Sequence, residues 1–214
     1  MNFRYYHTSK LIILILVLVF FISPLAQWIE KEISLNKYLN TVYGYVGVFS
    51  TISILSIILL AIDKYLWKYF ICKWLINIPN LNGRYEGILT STFIDPATQL
   101  PMKKKCILEI KQSASETKIY TYYGDLGSTI QTSQAFSVSE EIVKNSNDIF
   151  EIFYIYTNNP NTLIQQLHNH LGTGHLKYYL DIKVLEGEYY NQRGLKGTLR
   201  VNFVQKKTVG RFII

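Results

Sequence analysis

The sequence predicts a membrane-anchored all-β protein: two N-terminal transmembrane helices, then a small eight-stranded antiparallel β-barrel with one short helix. Three observations predict it. Two uncharged apolar runs fall within residues 11–62. From Leu81 onward, short runs rich in Tyr, Ile, Thr and Val alternate with turn signals. All three tryptophans lie before residue 80, whereas ten of the twelve glycines lie after it, so the composition changes at Pro79-Asn80. The chain of 214 residues therefore divides into a two-helix transmembrane region, 1–78, and a β-barrel domain, 79–214.

The first run, Leu11 to Ala26, reads LIILILVLVFFISPLA. As a helix it covers about 24 Å, and about 30 Å with Lys10 and Trp28 at the interfaces, which sets the first span at 11–28. Arg4 and Lys10 resemble the basic start of a signal peptide, but Pro24 occupies the −3 position of a cut after Ala26, a poor cleavage site. The second run, Thr41 to Ile62, is uncharged for 22 residues. Trp28, Tyr38, Tyr65, Trp67 and Tyr69 flank the runs as interfacial anchors do. Arg4 and Lys10 before the first span, and Lys64, Lys68 and Lys73 after the second, predict both ends inside. Gly44, Gly47, Ser50, Ser53 and Ser56 recur every third residue of the second span. Small residues allow close helix approach, so this ribbon is the predicted oligomerisation surface.

The strand pattern gives Arg84–Phe93, Lys104–Gln112, Lys118–Tyr123, Thr129–Val143, Phe150–Thr157, Lys177–Val184, Tyr189–Gln192 and Thr198–Gln205. After Asn158-Asn159-Pro160, Asn161 or Thr162 can cap a helix. Leu163, Ile164, Leu167 and Leu171 share its face, and Gly172 ends it. Eight short strands in this length favour a closed or nearly closed barrel, with a two-layer sandwich as the alternative. Alternation places Cys106, Leu108 and Ile110 on one face and Lys105, Glu109 and Lys111 on the other. Phe150–Thr157 is apolar on both faces and so predicts a covered strand.

The formal charge of +7 includes the run Lys103-Lys104-Lys105 and points to anionic surroundings or an anionic ligand. Cys72 and Cys106 have no metal or redox spacing, which fits a reducing compartment. His168-Asn169-His170 spells a nuclease motif name but sits in the predicted helix, where positions i and i+2 do not face each other. His168, His170 and His175 are therefore not expected to form a metal site. No nucleophile elbow, phosphate loop, zinc-protease motif or paired-carboxylate spacing appears, so no enzymatic activity and no cofactor are expected. What remains is tyrosine with a few polar groups. Tyr120 and Tyr122 share one strand face, as do Tyr154, Tyr156 and Asn158. Bases stack on aromatic planes, phosphate suits a guanidinium, and base edges need amide or hydroxyl partners. Arg193, Thr90, Tyr120, Tyr122 and Asn158 are the predicted ligand set.

Leu81-Asn82-Gly83-Arg84-Tyr85-Glu86-Gly87 opens the barrel, and Gly187-Glu188-Tyr189-Tyr190-Asn191-Gln192-Arg193 with Gly197 closes it. With Leu108-Glu109-Ile110-Lys111-Gln112, His170-Leu171-Gly172-Thr173 and the two spans, the whole chain resembles the two-transmembrane β-barrel effectors of bacterial CBASS antiphage signalling, also described as SMODS-associated 2TM β-strand-rich effectors. The resemblance implies a cyclic dinucleotide from a cognate nucleotidyltransferase as ligand, with no DNA or RNA partner. It implies homo-oligomerisation on activation, disruption of the bacterial inner membrane, and a cytoplasmic barrel. It assigns ligand contact to Arg193, whose YYxxR context matches. Two other readings stand beside it: a tethered lipocalin-like barrel for a lipid or other apolar molecule, and a structural membrane protein with a solid core.

Overall fold

The computed structural model describes residues 2–35, 51–145, 149–163 and 168–212. They form two compact units, Met1–Asn77 with Ser113–Glu116, and Ile78–Gln112 with Thr117–Ile214.

In the first unit, α1 (Thr8–Leu35) extends beyond the predicted first span at both ends and contains Pro24. Its stretch Thr8–Ile33 has 26 residues, with an 18-residue window of mean hydropathy 2.6 that is 11% buried, and is the one described helix long and apolar enough to cross a membrane. At 1.5 Å per residue it reaches about 39 Å, more than a bilayer's apolar core. The second predicted span, 41–62, lies partly outside the described residues. Its described part is α2 (Thr51–Ala61), followed by a π-helical turn, Ile62–Leu66, and a 3₁₀ turn, Phe70–Cys72. Asp63 in the π turn is buried, and its carboxylate accepts hydrogen bonds from Tyr6 Oη at 3.3 Å and from Ser115 Oγ. The Ala114 amide also donates to the Asp63 carbonyl, so three segments of this unit meet at one residue.

The second unit is a closed antiparallel meander of eight strands: β1 (Gly83–Ile94), β2 (Pro101–Gln112), β3 (Thr117–Asp125), β4 (Gln131–Lys144), β5 (Phe150–Pro160), β6 (His170–Tyr179), β7 (Val184–Asn191) and β8 (Lys196–Gln205). β8 pairs back onto β1, with Gly87 opposite Val201, so no strand edge is left open. This is the predicted barrel and excludes the sandwich. Strand alternation sends Tyr85, Leu108, Ile110, Ile119, Ile152, Leu176, Leu185 and Val201 inward, each at most 1% exposed, as a solid core in one half of the barrel.

The predicted helix over Thr162–Leu171 is not what the described residues form. Residues 164–167 lie outside the description, and β6 begins at His170. Two inward glycines obscure this strand in the sequence, and their place is structural. A Cβ at Gly172 would lie 2.4 Å from Tyr156 Cζ, and one at Gly174 would lie 2.3 Å from Tyr154 Cζ. The large β5 rings occupy the space that β6 side chains would need. The predicted strand Lys177–Val184 likewise straddles a turn, since β6 ends at Tyr179 and β7 begins at Val184.

Arg84 points outward yet is 1% exposed, as is Glu109, its partner at 3.0 Å. The chain's last described residues cover them. Arg84 donates to the Arg211 and Phe212 carbonyls, each at 2.8 Å, and Glu109 accepts from the Val209 and Gly210 amides. Phe212 packs beside Ile107 and Tyr122. A buried ion pair is tolerated here because each charged group finds several hydrogen-bond partners.

Candidate functional site

In a meander barrel alternate turns share one end, and here those are the β1–β2, β3–β4, β5–β6 and β7–β8 connections. Inside that end the core gives way to a cavity of about 600 Å3. Leu89 and the rings of Tyr123, Tyr156 and Tyr189 supply apolar faces. Ser91, Ser133, Asn158, His170 and Asn191 supply hydrogen-bonding groups, and Lys104 and Arg193 the positive charge. Burial pushes the Tyr123, Tyr156 and Tyr189 phenols up, so they stay neutral donors at physiological pH. The His170 imidazole is held below its ordinary value by burial and then by the Arg193 charge, against a smaller opposing contribution from the nearby His168 backbone. It is therefore a neutral hydrogen-bonding group rather than a third cation.

Local chain chemistry sets the two cations. Asn191 closes the β7–β8 turn, its Oδ1 accepting from the Arg193 and Leu195 amides at 3.1 Å each. Gly194 takes φ +75°, where a Cβ would be strained. The turn thus presents the Arg193 side chain at the mouth, where its guanidinium donates to the His168 carbonyl. Lys104 points inward from β2 and pairs with Asp125, directly opposite on β3.

Of the predicted ligand residues, the structure brings Arg193 and Asn158 into this cavity. Thr90 sits on the outer face of β1 and lines a neighbouring groove with Lys103 and Leu126. Tyr120 and Tyr122 point outward from β3, where they pack on the Ile107 and Phe212 cluster. The reason is parity, because a strand's side chains alternate and a set offset by one residue faces the other way. The inward set of β3 ends in Tyr123, which the predicted ligand set omits, together with His170 and Tyr189, while Lys104 enters only within the run Lys103-Lys104-Lys105. Among the ribbon residues, Gly44, Gly47 and Ser50 lie outside the described residues, and Ser53 and Ser56 fall in α2.

A closed barrel that ends in an open cavity with aromatic walls and a polar, cationic rim has the architecture of a small-molecule receptor domain. Residues 76–203 match the family model described as Cap15, cyclic dinucleotide receptor domain. That match covers more than half of the chain, and the chain belongs to this family. Among curated proteins it is similar to CD-NTase-associated protein 15 of Yersinia aleksiciae, 24% identical over 145 residues that make up 67% of this chain. The aligned region spans 64% of that relative's length.

Proposed function

We propose that the barrel is the receptor for a cyclic dinucleotide made by a cognate nucleotidyltransferase, and that the chain is an antiphage effector of the bacterial inner membrane. Ligand in the cavity favours a homo-oligomer of the membrane segments, which disrupts the bilayer and stops growth or kills the cell. The barrel and the N-terminus face the cytoplasm, where the ligand is made.

The observation that carries this reading is the cavity. Its volume of about 600 Å3 falls within the roughly 300–1,000 Å3 of small-molecule sites. Three tyrosines offer faces for bases, and Lys104 and Arg193 offer one cation for each of two phosphates. An apolar ligand, as in the lipocalin-like reading, would leave the buried polar groups of Asn158 and His170 without partners. Assembly follows only if the ligand binds the assembled state better than the resting one. The small-residue ribbon of the second predicted span is the surface proposed to close.

The test is calorimetric titration of the full chain in detergent with a panel of 3′,3′- and 2′,3′-linked cyclic dinucleotides. Saturable binding of at least one is expected, weakening as salt rises. A folded chain that binds none overturns the proposal. In cells, Gly47→Ile with Ser50→Ile is expected to remove toxicity while leaving that binding intact.

A further inference from the structure

Asn158 on β5 and His170 on β6 stand directly opposite each other in the ladder, and both side chains line the cavity. Asn158 is 8% exposed. Its Oδ1 and the His170 Nδ1 are buried without a hydrogen-bond partner among the described residues. A buried polar atom left unpaired costs about 1–3 kcal/mol, and here two share one cross-strand pair. The inward pairs deeper on the same ladder carry no such deficit. Tyr156 packs over Gly172, and Tyr154 over Gly174. Along the inward face of this ladder the deficit is thus confined to the level that faces the cavity, beside the ring of Tyr156, while the unpaired Asn159 Oδ1 lies on the opposite face of β5.

The chemistry of the bare atoms limits what completes them. The carbonyl oxygen of Asn158 takes a donor, which phosphate oxygens do not supply. Neutral His170 offers one N–H and one lone pair. An acceptor beside a group of this kind matches the edge of a nucleobase, where an amino or imide N–H adjoins a ring nitrogen or carbonyl. We propose that Asn158 and His170 together read the Watson–Crick edge of one base, with Asn158 Oδ1 accepting an amino or imide N–H, and so set which cyclic dinucleotide is recognised. This rests on the receptor reading above and adds the residues that discriminate among its ligands.

The experiment uses the full chain in detergent and the 3′,3′-linked cyclic dinucleotides of A, G, C and U, with 2′-deoxy versions of the tightest. For the wild type, a spread of about tenfold or more between the tightest and weakest probe is expected, since a site built for a hydrogen bond rejects a ligand lacking it. Asn158→Leu keeps the volume and removes the acceptor. It is expected to bind the tightest probe about tenfold or more weakly, leave the weakest within about threefold, and melt no lower than the wild type without ligand, because an unpaired buried group is gone. An unchanged ranking overturns the inference and leaves the receptor reading standing. A lower melting temperature without ligand, or failure to fold, overturns it by showing a structural role for the amide. Loss in the 2′-deoxy probe to which Asn158→Leu adds nothing overturns it in favour of a ribose contact. A wild type that binds neither these probes nor the 2′,3′-linked panel removes both readings.

Discussion

Removing the Arg193 side chain separates the cavity's charge from its framework. The β7–β8 turn is closed by backbone groups and by Asn191, and Gly194 supplies its left-handed residue, so no bond within the turn needs the guanidinium, which donates instead to the His168 carbonyl outside it. Arg193 is exposed at the rim, and an exposed substitution of this kind shifts stability by about 0.5 kcal/mol or less. For binding, a charge-assisted hydrogen bond to phosphate contributes roughly 1.5–3 kcal/mol. At 1.4 kcal/mol per decade, Arg193→Ala therefore weakens cyclic dinucleotide binding by roughly ten- to 140-fold. Exposure to water places the effect toward the lower end, and the gap between wild type and variant narrows with added salt. Arg193→Lys keeps the charge without the planar fork and falls between the two. The assay is calorimetric titration of the full chain at two salt concentrations, with thermal unfolding run alongside. Equal affinity for wild type and Arg193→Ala refutes the phosphate role. A large fall in melting temperature refutes the premise that the turn is independent of the side chain.

Arg84→Ala strips the buried Glu109 of its cation and the C-terminal segment of two carbonyl anchors, so a loss of about 3–5 kcal/mol is expected in denaturant unfolding, with faster proteolysis near residues 209–212; an unchanged midpoint contradicts this. His170 gives a pH signature. Its folded value lies below the ordinary 6.5, so the unfolded chain takes up its proton first as pH falls. Its contribution to stability is complete above about pH 6.5 and is lost on acidification below it, and His170→Gln flattens that part of a melting-temperature profile, which an identical slope in both proteins would disprove.

Much of the barrel was legible because each strand alternates and each turn announces itself. Six predicted strands lie within or close to their observed limits, and the inward set Cys106, Leu108 and Ile110 is buried as alternation requires. β6 was not legible. His170, Gly172, Gly174, Leu176 and Tyr178 are its inward set, and glycine carries no hydrophobic signal in a strand. Leucines at helical spacing upstream then supplied a competing period. Only β5 reveals why the glycines are there, since its tyrosines fill the place of the missing side chains. That relation pairs residues distant in sequence, and a single strand's pattern does not contain it.

The candidate site divides along the same line. Asn158 follows Ile152, Tyr154 and Tyr156 at spacings of two, and those apolar strand-mates mark its face as inward. Thr90 shares parity with Arg84 and Glu86, and Tyr120 and Tyr122 share parity with Lys118, so charged strand-mates mark these three as outward. Ranking candidates by side-chain chemistry alone overlooks that constraint. Applying it to β3 selects Tyr123, which follows Ile119 and Thr121 on the buried face. Lys104 tests the limit of the rule, because it is charged and yet shares parity with Cys106, Leu108 and Ile110. A lysine on the inward face is tolerable only where the core has stopped, at the barrel's open end beside an acid such as Asp125. An inward-parity charge at the end of a barrel strand is therefore a sequence-level marker of a cavity, and like the parity of Asn158 and Tyr123 it is read from one strand alone.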